Sequence, residues 1–184
     1  MLEKARAVFW NLGYAAASLD DLAAATGLNR PSLYAAFGDK HALYMRALAR
    51  TCETARAVMR QMMGREGPLR EVLRGLFGAA IAAYVAGDEG QRGCFVIGTA
   101  VTQAVNDPQA RALAAAFVAD EDAAFRERFE RSANELAPGV GAAGAAAIAT
   151  AALHTLAIRA RTGEDRAGLD AVADAAVDLI CGAG

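Results

Sequence analysis

The sequence predicts an all-α protein, and three observations support that fold class. Alanine, the residue with the highest helix propensity, is abundant, while only four prolines interrupt the 184 residues. No stretch alternates apolar and polar side chains with the period of two that a half-buried strand requires. Glycine and proline instead separate segments in which apolar residues recur every three or four positions.

The first helix is predicted for residues 2–12 and ends at Gly13, because glycine commonly follows the last turn of a helix. Its inward face is expected to comprise Leu2, Ala5, Val8, Phe9 and Leu12. A second, short helix begins after Ser18, which precedes Asp21 by the three positions of a capping box. Its inward face is expected to comprise Leu19, Leu22, Ala23 and Thr26.

The third helix is predicted for residues 30–37, between the turn at Gly27 and the stop at Gly38. Asn29 can cap it, and Pro31 falls in its first turn, where a missing N–H removes no helical hydrogen bond. A helical wheel assigns an inward face to Leu33, Ala36 and Phe37. The outward face then comprises Arg30, Pro31, Ser32, Tyr34 and Ala35.

A fourth helix, residues 40–63, is predicted to start after Asp39 and to link two domains. Its apolar face is expected to comprise Leu43, Ala47, Thr51, Ala55, Val58 and Met62. The run GREGP, residues 64–68, is the clearest interruption of the chain. We place the domain boundary near this run. The small N-terminal DNA-binding domain itself is expected at residues 1–45, the helix 40–63 links the domains, and the larger helical domain is expected at residues 46–184.

The second domain is expected to contain longer and more apolar helices, at about residues 68–86, 94–105, 107–136, 141–161 and 167–180. One apolar stretch, residues 140–158, is nearly long enough to span a membrane. It consists mainly of alanine and glycine and includes His154, so we interpret it as a buried helix of a soluble domain.

The net charge of −2 is unevenly distributed along the chain. Residues 1–56 carry seven basic and five acidic side chains, a net charge of +2, which leaves −4 for the remainder. This asymmetry indicates a polyanionic partner for the N-terminal part alone. Three scattered cysteines, two histidines and the charged N-terminus favour a cytoplasmic protein without a disulfide framework, metal or cofactor.

The two short helices joined by TGLN have the helix lengths and the glycine-containing turn of a helix-turn-helix. In that motif the second helix enters the major groove of DNA. One alternative is a helical hairpin in which Tyr34 only packs its ring at the surface. Another is an all-α small-molecule-binding protein or enzyme with an incidental helix-turn-helix. No nucleophile–base–acid set or phosphate-binding loop in the sequence supports an enzyme.

The segment ARAVFWNLGYAAASLDDLAAATGLNRPSLYAAFGDKHALY, residues 5–44, closely resembles the DNA-binding domain of the TetR/AcrR family of transcriptional repressors. The matching features are Val8-Phe9, Gly13-Tyr14, Ser18, Ala23 to Gly27, Leu33-Tyr34, Phe37, Lys40 and Leu43. The resemblance implies a non-enzymatic, dimeric repressor that a small-molecule effector releases from a palindromic double-stranded operator. Relatives often carry a basic arm before the first helix, whereas this sequence begins almost at the helix.

The DNA-contacting residues are expected to have two different roles. Phosphate contacts, which position a protein without reading sequence, are expected from Ser18, Tyr34, Lys40 and His41. The resemblance implies these roles for the first three, and His41 is added because it lies beside Lys40. Base contacts are expected from Arg30, Pro31, Ser32 and Ala35.

The residue types of the third helix suggest which bases it would prefer. Arg30 suits a guanine edge, and Pro31 and Ala35 suit a thymine methyl group. We therefore expect a half-site with a G·C pair beside a thymine-bearing step. The alternative for Arg30 is a solvated charge in the first helical turn.

The resemblance also implies a homodimer and an effector pocket in the second domain. The last two helices are rich in alanine and glycine, including Gly141, Gly144, Ala145, Ala152 and Ala175, and would pack closely as a four-helix dimer seam. The alternative is close packing within one chain. The pocket is expected to include Met62, Phe77, Tyr84, Cys94, Phe95, Thr99, Gln103, Phe117 and His154. For His154, a hydrogen-bonded core position is the preferred alternative.

Cys94 follows Gly93 near a predicted helix start, with Arg92 two residues earlier. A helix N-terminus and a nearby cation both favour the thiolate form of cysteine. The surrounding segment, EGQRGCFVIGTAV at residues 89–101, resembles the Gly-Cys segment of a TetR subgroup, some of whose members respond to electrophiles or oxidants. The preferred alternative is that Cys94 is a small buried hydrophobic side chain.

Overall fold

The structure is a computed structural model that describes residues 1–86 and 92–183, and these two ranges contain helices and no strand. The all-α fold class is confirmed. Residues 89–91 of the segment around Cys94 lie outside the described residues.

The chain divides by its internal contacts into two compact units. The N-terminal unit comprises Met1–Thr54 and Phe95–Ala115, and the C-terminal unit comprises Ala55–Cys94 and Ala116–Gly184. This division differs from the expected domains because residues 95–115 group with the N-terminal helices. The expected limits, residues 1–45 and 46–184, therefore remain a proposal.

The helices follow the predicted order. They are α1 (Leu2–Ala16), α2 (Leu19–Thr26), α3 (Arg30–Phe37), α4 (Lys40–Met63), α5 (Leu69–Val85), α6 (Val101–Gln103), α7 (Pro108–Arg131), α8 (Ala142–Arg161) and α9 (Arg166–Cys181). A π-helical turn, Val96–Ala100, leads into α6, and a 3₁₀ turn, Ala133–Glu135, follows α7.

The helical backbone is interrupted at Gly13, where the end of the first helix was predicted, and one further turn to Ala16 follows the kink. Gly13 has φ 78° and ψ 165°, and its carbonyl accepts the Ala17 N–H. A positive φ is strained for residues with a Cβ, so glycine suits this kink. Phe9 is fully buried before the kink, whereas Leu12, expected on the inward face, is 49% exposed.

The buried face of α4 matches the prediction only in its first half. Leu43 and Ala47 are buried as expected, but Val58 is exposed and Met62 only partly buried. The buried side chains farther along α4 are Cys52, Met59 and Met63. The sequence pattern misplaces this face because alanine and threonine neighbours make several wheel positions nearly equivalent in hydrophobicity.

Two of the later helices have different ends from those expected. The segment predicted as a helix from residue 94 to 105 begins as the π-helical turn and ends at Gln103. The long helix predicted to reach residue 136 ends at Arg131, where the chain tightens into a 3₁₀ turn before Leu136. Such tightening is common at the end of an α-helix.

The N-terminal unit has an aromatic core centred on the buried Tyr44. Its ring lies 5.2 Å from Phe9, 4.8 Å from Tyr14 and 6.1 Å from Phe95 between centroids. The Tyr44 hydroxyl donates to Thr99 Oγ1 at 3.0 Å, and Thr99 Oγ1 donates to the Phe95 carbonyl at 2.8 Å. Burial raises the pKa of Tyr44 to about 12, so the phenol remains a neutral donor.

The C-terminal unit has a core formed mainly by α5, α8 and α9. Among the described helices, α8 is long and apolar enough by composition to cross a membrane. Its buried side chains, which include Leu153 and Leu156, belong to this core instead, as expected for a buried helix. Ala145 and Ala152, assigned above to a dimer seam, are also buried in this core, so their small size serves packing within one chain.

Gly93 occupies a position that only glycine fits. Its φ is +66°, and an added Cβ would lie 2.3 Å from the Ala157 carbonyl oxygen. The adjoining backbone is held by hydrogen bonds from the N–H groups of Arg92 and Gly93 to the Tyr84 carbonyl. This close approach positions Cys94 in the C-terminal unit.

We expect Gly93→Ala to lower the free energy of unfolding by at least about 2 kcal/mol, because it combines a strained φ with a backbone clash. Chemical denaturation followed by circular dichroism measures the change. Gly78→Ala is the matched control, since Gly78 lies inside α5 with open space around it. That substitution should instead raise stability by about 0.5–1 kcal/mol. Equal stabilities of the Gly93 variant and the unsubstituted protein would contradict the assigned contact.

Candidate nucleic-acid interface

The helix α3 presents most of its length to solvent. Leu33 is buried and Phe37 is partly buried, and these two positions lie on one side because they are four residues apart. Ala36, predicted to face inward, is exposed. Ala36 is exposed because this eight-residue helix makes a narrow contact that buries a single line of side chains. The remaining exposed residues are Arg30, Pro31, Tyr34 and Ala35, with Ser32 partly exposed.

Both ends of α3 are fastened by local hydrogen bonds. The Asn29 side chain accepts the Ser32 N–H at 2.9 Å, which confirms the predicted N-cap. At the other end, the Gly38 N–H donates to the Tyr34 carbonyl at 2.8 Å, and Gly38 has φ 89°. The two ends hold the exposed face in a defined orientation.

The start of α2 carries the capping box predicted from the sequence. Ser18 Oγ accepts the Asp21 N–H at 3.1 Å, and Asp21 Oδ2 accepts the Ser18 N–H at 2.9 Å. The Ser18 hydroxyl also donates to Asp21 Oδ2 at 2.6 Å. Hydrogen bonds from Ser18 lower the pKa of Asp21, so its carboxylate remains charged at neutral pH.

A shallow depression brings two of the expected phosphate contacts together. Tyr34 and Lys40 line it, and its other lining residues are Leu19, Leu33, Gly38, Asp39 and Leu43. Leu19 is the first residue of α2 and Lys40 the first of α4, so two helix N-termini border the depression. Backbone N–H groups and the helix dipole favour an anion at such a place.

Lys40 is held near this depression by two contacts. Its Nζ lies 4.6 Å from the centre of the Tyr14 ring and 3.4 Å from the Ala15 carbonyl oxygen. Partial burial lowers the pKa of Lys40 from its ordinary value. The side chain is thus partly ordered before any partner binds.

Arg30, expected to read a base, forms a two-pronged ion pair with Asp20. Its Nε lies 2.9 Å from Asp20 Oδ1, and its Nη2 lies 2.6 Å from Asp20 Oδ2. Both side chains are largely exposed. The pair joins the first turns of α2 and α3 across a separation of ten residues. Asp20 was not predicted as the partner of Arg30 because an exposed acid ten residues away carries no periodic signal.

His41, also expected near a phosphate, instead pairs with Asp107 within the N-terminal unit. The His41 Nε2 atom lies 2.7 Å from Asp107 Oδ2, while Asp107 Oδ1 accepts N–H groups at the start of α7. One imidazole nitrogen is therefore engaged away from the depression. A phosphate contact from His41 would have to use its other ring nitrogen.

The candidate effector residues fall into both units. Phe95 and Thr99 belong to the aromatic core of the N-terminal unit, and Gln103 is partly exposed at the end of α6. The C-terminal unit contains the others: Met62, Phe77, Tyr84, Cys94, Phe117 and His154. Of these, Phe77 and Phe117 are buried and the rest are partly exposed. None of the three cysteines forms a disulfide.

A polar pair that the sequence did not reveal joins α7 and α8. His154 Nε2 lies 2.8 Å from Glu121 Oε2, and Glu121 is only 8% exposed. His154 has the hydrogen bond of the preferred alternative, but its side chain is 23% exposed and not in the core. Burial raises the pKa of Glu121, while the hydrogen bond and charge of His154 oppose that effect. A separation of 33 residues explains why the pair was not foreseen.

Comparison with known proteins agrees with the geometry of this surface. Residues 1–47 match the family model described as bacterial regulatory proteins, tetR family. The chain is 30% identical over 109 residues to YezE of Bacillus subtilis, an uncharacterized HTH-type transcriptional regulator. It is 37% identical over 102 residues to ComR of Escherichia coli, an HTH-type transcriptional repressor. These alignments span 59% and 55% of this chain, and 56% and 48% of the relatives.

A solved structure extends the similarity to nearly the whole chain. It contains a cysteine mutant of the TetR family transcriptional regulator CifR complexed with 26-base-pair double-strand operator DNA. The identity is 32%, the TM-score is 0.79, and the match covers 96% of this chain and 93% of that one. The chain therefore belongs to the TetR family of DNA-binding transcriptional regulators.

Proposed function

We propose that this protein is a cytoplasmic, dimeric repressor that binds a palindromic double-stranded operator through α3 and has no catalytic activity. The observation that carries the proposal is the exposed outward face of α3, fixed at both ends and adjoining the depression lined by Tyr34 and Lys40. Two such helices in a dimer would lie about 34–36 Å apart, one turn of the DNA helix.

Affinity would come mainly from phosphates around the depression. The Tyr34 hydroxyl and the Lys40 ammonium group are the proposed side-chain donors, and the first turn of α2 after Ser18 adds backbone N–H groups. The Ser18 hydroxyl already donates to Asp21, so Ser18 would act chiefly by fixing the helix start. His41 is a weaker candidate because its Nε2 atom is paired with Asp107.

Specificity would come from the first turn and outer side of α3. Pro31 and Ala35 would make apolar contacts with base edges, and the Ser32 hydroxyl would form a hydrogen bond with one. Arg30 would meet guanine, and Asp20 would hold its guanidinium group in an extended position until the base competes for it. The same ion pair neutralises an acidic side chain that would otherwise repel a phosphate.

Dimerisation is proposed to use the solvent-facing sides of α8 and α9. Ile158 on α8 is 55% exposed and Leu179 on α9 is 64% exposed. Small residues lie along the same helices at exposed positions, among them Gly144, Ala147, Ala151 and Ala175. Apolar exposure of this kind on long helices is typical of a surface that a partner covers.

Release from the operator is proposed to follow effector binding or modification of Cys94. Met62, Phe77, Tyr84, Phe117 and His154 are the candidates for effector contact within the C-terminal unit. Either event would shift α4 and change the separation of the two recognition helices. Coupling between two such sites is typically about 1–3 kcal/mol, and ligand and DNA should weaken each other's binding equally.

The phosphate contacts can be tested on an operator selected from random DNA. Lys40→Gln should weaken binding to all sequences and reduce the slope of log K against log salt by about one, because one fewer counterion is released. Tyr34→Phe should weaken binding about tenfold, because it removes one charge-assisted hydrogen bond. Fluorescence anisotropy over a salt series gives both values. Arg65→Gln is the control, since Arg65 is an exposed cation of the C-terminal unit. A Lys40 variant with an unchanged salt slope would refute the phosphate role.

The base-reading role of Arg30 requires a measurement of preference at each operator position. Arg30→Ala should cost about 1–3 kcal/mol at one G·C pair and leave the other positions unaffected. Asp20→Asn, which removes the pairing carboxylate, should instead raise affinity for operator and random DNA alike. Unchanged preference at every base in the Arg30 variant would rule out the assignment.

The proposed dimer surface predicts the state of the protein in solution. Sedimentation at micromolar concentration should show a dimer, and Leu179→Glu should produce monomers that bind the operator weakly, because it places charge in an apolar contact. Val105→Glu, at an apolar residue of the N-terminal unit that is 71% exposed, should leave the dimer intact. A monomeric unsubstituted protein would exclude the proposed assembly.

A further inference from the structure

The last turn of α3 includes Ala35, one of the residues proposed to meet a base. The final carbonyl groups of any helix lack partners within the helix, and an eight-residue helix has few other hydrogen bonds to hold its last turn. Helix ends of this kind fray, because opening one turn breaks few contacts. Whatever orders this turn therefore bears on recognition.

One side chain of α4 reaches the last turn of α3. Arg46 Nη1 donates to the Ala36 carbonyl at 3.2 Å, across a separation of ten residues. The guanidinium carbon of Arg46 lies 5.7 Å from the centre of the Phe37 ring, which is within the range of a cation–π contact. A single cation thus makes both contacts at the C-terminal end of α3, where the helix dipole also favours positive charge.

These contacts add to the hydrogen bond that was described at Gly38. The Gly38 N–H donates to the Tyr34 carbonyl, so this bond and the one from Arg46 supply donors to two of the last four carbonyls of α3. At the other end of the helix, Asp20 of α2 pairs with Arg30. Side chains of both neighbouring helices therefore hold α3, with α2 at its start and α4 at its end.

The exposure of Arg46 makes a direct contact with a DNA phosphate the alternative role. The geometry favours a positioning role, because the guanidinium group already engages a carbonyl and a ring of α3. Arginine suits this combination, since its planar group carries several N–H donors and also interacts favourably with aromatic rings. The two roles predict different dependences of DNA binding on salt.

We propose that Arg46 is a positioning residue for operator recognition, which holds the last turn of α3 in the helical conformation and so keeps Ala35 against the base edges. This inference rests on the proposed DNA-binding function of α3 and adds a residue outside that helix. Without Arg46, the last turn opens more often, and part of the binding free energy is used to close it. An ordered turn therefore raises the affinity for the operator without a contact between Arg46 and DNA.

The first measurement examines the turn in the absence of DNA. Arg46→Met removes the donors and the charge but keeps a long side chain beside Phe37. Hydrogen exchange of the Gly38 N–H, followed by NMR, should become about fivefold faster, because one fewer hydrogen bond opposes local opening. Arg50→Met is the matched control, since Arg50 is exposed, lies about one turn later on α4 and loses the same charge. In this control, the Gly38 N–H should exchange as in the unsubstituted protein.

The second measurement compares binding to the selected operator and to random DNA by fluorescence anisotropy over a salt series. Relative to Arg50→Met, Arg46→Met should bind the operator about two- to fivefold more weakly, since the loss of affinity cannot exceed the change in the opening equilibrium. Binding to random DNA and the slope of log K against log salt should be the same in both variants, because neither loses a phosphate contact. The midpoints of thermal unfolding should also coincide.

Several results would overturn the proposal. Unchanged exchange of the Gly38 N–H in Arg46→Met, or equal operator affinity of the two variants, would exclude the positioning role. A salt slope smaller by about one, with equally weakened binding to random DNA, would assign a phosphate contact instead. A lower midpoint of thermal unfolding with an unchanged ratio of operator to random binding would leave a structural role only.

The two measurements also separate this inference from the proposed function. An unsubstituted protein that binds no selected DNA would refute both, and the exchange rates would still show whether Arg46 orders the turn. Specific operator binding that is equally strong in Arg46→Met and Arg50→Met would refute the role of Arg46 alone.

Discussion

The proposed DNA-binding surface depends on the stabilisation of an eight-residue helix. A helix of two turns is unstable in water by itself, because nucleation is costly and few hydrogen bonds follow it. In α3, the stability that helix propensity does not provide comes from the Asn29 cap, the Gly38 stop and the burial of Leu33. These three features are confined to the ends and one edge, so the opposite face is available to a partner.

Both basic and acidic side chains lie around this helix, so a DNA phosphate would be attracted by some and repelled by others. The N-terminal part carries a net charge of only +2, and Asp20 and Asp21 lie at the start of α2 beside the depression. Pairing of Asp20 with Arg30 removes one repulsive charge and orders a candidate base-reading side chain in the same contact. A surface of this composition would rely on few, well-placed phosphate contacts, and its selectivity would depend on geometry more than on total charge.

The C-terminal unit uses small and polar residues for different purposes. Ala145 and Ala152 fill the core, where their size allows α8 to lie close to its neighbours. Ile158 on α8 and Leu179 on α9, by contrast, are exposed. Glu121 and His154 form a hydrogen-bonded pair at the edge of the apolar interior, with Glu121 buried and His154 partly exposed.

Sequence alone determined the local features of this protein, because each arises from residues within a few positions of one another. The all-α class, the limits of α2 and α3, the Ser18 capping box and the family resemblance of residues 5–44 were all predictable from spacing and residue type. The inward face of α4 was less predictable, since an alanine-rich helix has little hydrophobic contrast around its circumference.

Tertiary structure alone decided the contacts between distant positions. The pairing of His41 with Asp107 spans 66 residues, and that of Glu121 with His154 spans 33. No local sequence pattern predicts either pair. The grouping of residues 95–115 with the N-terminal helices likewise follows from packing around Tyr44. Helix propensity and capping act along the chain, whereas hydrogen bonds and ion pairs form between whichever side chains the packed helices bring together.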